Sequence, residues 1–163
     1  MAKGRYIIIG VLAAVHILGG IPDGFMEWGT LARAASYSFF QANWWHLAVN
    51  CLAAWTIFRN PARPVRDLVI PFLIAMAVYP LALRPVIGAS NFLYAVIGMR
   101  TPSFSSPWWR KSTTIVFLVV TIAMLFIPKI AGATHIFAFS AGVFFAGAGR
   151  ILNELTRDTR RYL

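Results

Sequence analysis

A chain of 163 residues has the length of one domain, yet 59% of it is hydrophobic and only 12% is charged, where soluble domains carry roughly 25%. That composition excludes an ordinary soluble fold and points to a membrane protein. The net charge of +10 would suggest nucleic acid in a soluble chain, so the placement of the charges has to decide its meaning.

The chain opens on Met1-Ala2-Lys3-Gly4-Arg5 and an apolar run over 6–18, the layout of a signal peptide. Gly19-Gly20-Ile21-Pro22-Asp23 then lacks an Ala-x-Ala-like cleavage site, and five more apolar segments follow at 44–58, 68–83, 89–99, 113–127 and 135–148. The first run therefore reads as a membrane helix. All six are shorter than the roughly 20 residues of a free-standing span, which suits a packed bundle that thins the bilayer locally. The expectation is an all-α membrane protein, a single domain over 1–163 built as a bundle of six transmembrane helices, with no internal repeat.

Six spans put both termini on one side. Of the 15 lysines and arginines, all but Arg33, Arg84 and Lys129 fall on that side, so the positive-inside rule makes both termini cytoplasmic. The basic balance is then a face near anionic lipid, and nucleic acid is not an expected partner. The one cysteine, Cys51, lies in an apolar segment and reads as core packing, so no disulfide within the chain and no multi-cysteine metal site can form. Neither a metal nor a cofactor is expected.

The longest outer connection runs over 19–43 and holds Asp23, Glu27, Trp28 and Arg33. Its closing aromatics Tyr37, Phe39 and Phe40, with Trp44 and Trp45, read as an interfacial belt; a loop of this length can also be a partly embedded functional one. The fifth span, 113–127, has no ionisable group and is expected to face lipid.

Tyrosines and Cys51 aside, the ionisable and amide side chains within the spans are His16, His46, Asn50, Asn91 and His135. Intramembrane polar groups are costly and need partners. His16 reads as interfacial or structural. His46 and Asn50 share one helix face by their i, i+4 spacing, either as a hydrogen bond that joins helices or as part of a site. Ser90 admits two readings as well: a hydroxyl bonded to a carbonyl one turn back, or a nucleophile at a rigid helix start after Gly88, which allows close backbone approach. At about 1.5 Å per residue, Asn50, Ser90, His46 and His135 stand about 14, 15, 20 and 22 Å above the cytoplasmic arginines of their spans. In a core of about 30 Å they meet between the midplane and the outer surface.

The chemistry such groups could perform is acyl transfer, with a histidine on a neighbouring helix as the base for Ser90. His135 is the better candidate, because Ala138 and Gly142 follow it on a face that allows close helix approach, and Gly98 offers the matching gap. Every carboxylate lies in a loop or at a membrane edge, so a Ser/His dyad is expected in place of a triad. Tyr94 is spaced to stack on the imidazole, and His46 and Asn50 could donate to an oxyanion beside the Ser90 N–H.

These residues resemble the motifs of the rhomboid family of intramembrane serine proteases. Gly88-Ala89-Ser90-Asn91 with Tyr94 and Gly98 is similar to the family's GxSGxxYxxxG, His46 to Asn50 to its HxxxN, and Thr134-His135 with Ala138 and Gly142 to its AHxxGxxxG. The resemblance covers essentially the whole chain. It implies Ser90 as nucleophile and His135 as base, His46 and Asn50 lining the oxyanion site, Tyr94 packing on His135, and transmembrane proteins as substrates. Arg33 looks like the arginine of the family's first-loop Trp-Arg pair, with Ala32 in the tryptophan's place. The other departures are Asn91 and Ala138 where the motifs have glycine, and Thr134 where they have alanine. The alternative function is a catalytically silent rhomboid-like protein that binds membrane helices; a transporter or channel ranks last, because the spans below Ser90 are largely apolar.

Overall fold

A computed structural model of the protein describes residues 3–19, 21, 29–58, 65–82, 86–101, 115, 119 and 132–161. Among these residues every regular element is helical: α1 (Lys3–Leu18), α2 (Thr30–Ser36), α3 (Trp44–Ile57), α4 (Ile70–Val78), α5 (Ser90–Arg100) and α6 (Gly132–Arg161). Single 3-10 turns lie at Tyr37–Phe39 and Tyr79–Leu81, and a π-helical turn at Val65–Val69 leads into α4. The expected spans over 6–18, 44–58 and 89–99 coincide closely with α1, α3 and α5. The expected fifth span, 113–127, lies outside the described residues except for Ile115 and Val119.

Local chemistry sets these boundaries. Asn43 caps α3, its side-chain oxygen accepting from the His46 amide at 2.9 Å, which satisfies one of the donors a helix start leaves open. The stretch expected as one span over 68–83 changes helical type along its length. Pro71 has no N–H to give a carbonyl one turn back, so the ladder is interrupted where the π turn meets α4, and Pro80 sits in the closing 3-10 turn. The sixth segment is longer than expected, because the polar residues beyond 148 continue the helix to Arg161. Within it, Gly132–Arg157 is the one stretch among the described residues long and apolar enough to cross a membrane by length and composition.

α5 occupies the centre. Its residues Asn91 and Leu93 to Arg100 are all buried. Leu93 and Val96 join Leu12 of α1 and Leu47 and Ala54 of α3 in one cluster, while Tyr94 and Ala95 join Ile74 and Val78 of α4 and Ala138 of α6 in another. A helix apolar on every side must be enclosed, and this one is. Against α6 the approach reaches backbone contact. A Cβ on Gly98 would lie 3.1 Å from the Gly142 Cα and closer still to the Phe139 carbonyl, and one on Gly142 would strike the Ala95 carbonyl.

Two expectations are corrected here. Tyr37 and Phe40, read as interfacial, are core residues at 0% and 9% exposure, packed with Ala34, Ala75, Tyr79 and Val86. The short α2 and the 3-10 turn fold the end of the outer connection into the bundle, and only Phe39, Trp44 and Trp45 of the aromatic run stay exposed. Asp67, read as a loop or edge charge, is fully buried, with Arg100 on one oxygen at 2.7 Å and Arg66 on the other at 2.9 Å. Arg100 also donates to the Ile57 carbonyl and lies over the Phe58 ring. A buried charge needs its partners, and the pair ties the far end of α5 to the turn before α4 and to the end of α3.

The glycine contact gives a prediction. Gly142→Val is expected to destabilise the protein by about 1–3 kcal/mol or more, the range for overpacking, read as a lowered unfolding midpoint in detergent. Gly147, with open space where a Cβ would go, should accept alanine with little change.

Candidate active site

The side chains expected to meet come from three helices, each placed by its own local structure. Gly88 has φ +121°, a conformation open to glycine, and its amide donates to the Tyr37 carbonyl at 3.0 Å. The chain then turns through Ala89 into α5, so Ser90 is the first helical residue. His135 stands in the first turn of α6. The His135 Nε2 lies 2.8 Å from the Ser90 Oγ, within hydrogen-bond reach. The Ser90 hydroxyl is thus placed against the imidazole of α6.

The imidazole is held flat. Tyr94 stacks on His135 with centroids 4.6 Å apart and planes 5° from parallel, as the spacing predicts. With the serine hydroxyl donating to Nε2, the ring proton belongs on Nδ1. That atom is buried and has no hydrogen-bond partner among the described residues.

His46 packs its ring on Gly88. A Cβ there would lie 2.6 Å from its Nε2 and closer to Cε1, so glycine is required on two grounds: its φ and this contact. The Ala42 amide donates to His46 Nδ1 at 3.4 Å, which leaves the proton of the neutral ring on Nε2, the nitrogen over the backbone leading to Ser90. Asn50, one turn further along α3, is buried and donates from Nδ2 to the Gln41 Oε1 at 2.6 Å. A primary amide carries two N–H bonds, so one remains beyond the Gln41 bond. Arg33 lies on α2, one turn before Tyr37, and not on the three helices that carry the serine and the histidines.

Three neighbours escaped the sequence reading. Gln41, only 1% exposed, is an amide set among aromatics nine residues before Asn50, and that setting was the available signal. Tyr37, concealed in an aromatic run, donates from its hydroxyl to the Ala75 carbonyl at 2.8 Å and accepts from the Asn91 Nδ2 at 3.2 Å. Thr134, noted only as a departure from a motif, donates to the Asn91 Oδ1 at 3.0 Å. The arrangement has the parts for acyl transfer: a hydroxyl against an imidazole, and N–H donors nearby.

The sequence model of the Rhomboid domain family matches residues 28–150. No curated protein and no solved structure gives a significant match.

Burial pushes the Tyr37 phenol up to about 12, against the opposing pull of its hydrogen bond with Asn91. A raised folded pKa stabilises fully below the unfolded value near 10 and is lost as pH rises through the folded one. Folding stability of the wild type is therefore expected to fall between about pH 10 and 12, and Tyr37→Phe should lack that component in unfolding midpoints measured across the same range.

Proposed function

Because this chain belongs to the rhomboid family, and is thus an integral membrane protein, we propose that it is an intramembrane serine protease that hydrolyses peptide bonds of membrane-spanning proteins near their outer ends. The observation that carries this reading is the 2.8 Å separation between the Ser90 Oγ and the His135 Nε2, the distance a general base needs. In the proposed topology six spans cross the bilayer and both termini are cytoplasmic, as the distribution of lysine and arginine favours.

In this mechanism His135 Nε2 takes the proton from Ser90 as Oγ attacks the scissile carbonyl. The tetrahedral oxyanion accepts hydrogen bonds from the Ser90 N–H, from His46 Nε2–H and from the remaining N–H of Asn50. His135 then returns its proton to the departing amine, leaving an acyl-serine. Water, activated by the same imidazole, hydrolyses that ester and restores the serine. Tyr94 keeps the ring plane aligned through the cycle, in place of the carboxylate of a triad. Gly88 lets His46 approach the backbone of the serine turn.

Labelling with a fluorophosphonate probe tests the reading. The folded wild type is expected to label, and Ser90→Ala to show no labelling above background. His135→Ala should label at least about 100-fold more slowly, the size of a lost general base, and the wild type should cleave a reconstituted membrane-helix substrate. A folded wild type that labels no better than Ser90→Ala, yet binds membrane helices, would instead place this chain among silent helix-binding members.

A further inference from the structure

The two positions beside the Ser90–His135 pair form a pair of their own. Asn91 follows the serine on α5 and Thr134 precedes the histidine on α6, and Thr134 Oγ1 donates to Asn91 Oδ1 at 3.0 Å. The other end of the Asn91 amide donates to the Tyr37 hydroxyl at 3.2 Å, which in turn donates to the Ala75 carbonyl at 2.8 Å. Asn91 and Thr134 are each 1% exposed. An asparagine buried alone would leave both ends of its amide unsatisfied; here each has a partner. These are also the two positions at which the chain departs from the small residues of the motifs next to the serine and the histidine. They depart together, and they bond to each other.

We propose that Asn91 and Thr134 are positioning residues whose hydrogen bond, anchored behind by Tyr37, fixes the rotation of α5 against α6 and so holds Ser90 and His135 in register. The proposal rests on the Ser90–His135 contact that the proposed function uses. Its physical basis is helix geometry. Consecutive residues project about 100° apart around a helix, so the bonds from positions 90 and 91 leave α5 in different directions, as do those from 134 and 135 on α6. With one bond, either helix can turn about its axis and carry the serine away while the contact swings with it. With two, any rotation that preserves one stretches the other.

The test reads the register at position 90 without requiring proteolysis. In a Cys51→Ala background, Ser90→Cys places a thiol against His135, and its alkylation by iodoacetamide is followed across pH. The titratable groups around that thiol are His135 from α6 and His46 from α3, with Tyr94 stacked on the first and Tyr37 behind Asn91. An imidazole within hydrogen-bond reach should bring the inflection well below the ordinary thiol value of about 8.5. Adding Thr134→Val, which keeps the shape and deletes the hydroxyl, should move the inflection up by about one unit and slow alkylation about tenfold at lower pH. Thr134→Ser should restore the parent profile, and combining Asn91→Gly with Thr134→Ala should do less damage than the sum of the two single changes.

A profile unmoved by Thr134→Val, or one lowered in melting temperature alone, would overturn the proposal, as would an ordinary thiol profile in the parent. Failure of Ser90 itself to react with the fluorophosphonate, with the thiol profile shifted as expected, would remove the protease reading and leave the positioning role standing.

Discussion

The contact on which the site depends involves no functional group: α5 and α6 touch backbone to backbone at Gly98 and Gly142. In lipid, apolar helices gain little from burying apolar surface against each other, and close van der Waals approach between small residues takes over as the holding force. Ser90 lies about 12 Å before Gly98 along its helix, and His135 about 10 Å before Gly142 along its own. The two helices run in the same direction, pinned at the glycines and bonded at their starts. Replacing either glycine with a larger residue would splay the helices and open the hydroxyl–imidazole distance about two turns away.

The histidine is oriented by a ring and not by a carboxylate. Stacking with Tyr94 at 5° fixes the plane of His135, and the bond to Ser90 fixes its rotation within that plane. A buried carboxylate at this depth would need neutralisation of its own. The carboxylate buried among the described residues, Asp67, stands at the opposite end of α5 with two arginines on it. The fold thus keeps ionic pairing and the proposed proton-transfer chemistry at separate ends of one short helix.

Much of this was legible in the sequence, for a physical reason. Ser90, His46, Asn50 and His135 stand out because a polar group in an apolar span has few inexpensive explanations, and the helical period fixes which of them share a face. Tyr94, Gly98 and Gly142 follow from that same period. Tyr37 and Phe40 were not legible, since an aromatic suits a membrane interface and a core equally well, and only the way α2 folds back decides between them. The Asp67–Arg100 pair was hidden because each residue alone looks like an edge charge. Asn91 and Thr134 were visible only as separate departures from two motifs, and it takes the fold to bring positions 43 residues apart in sequence into a 3.0 Å contact.

α5 is 11 residues long, about 16 Å, about half of an unthinned hydrocarbon core of about 30 Å. It carries Asn91 near one end, both ends of its amide bonded, and Arg100 at the other, its two terminal nitrogens held by Asp67 and the Ile57 carbonyl. Tilting this helix outward would present an amide and a guanidinium to lipid, so it is a fixed post and not a door. In the proposed protease, a substrate that reached Ser90 sideways from the bilayer would therefore have to pass around this helix while the helix itself stays in place.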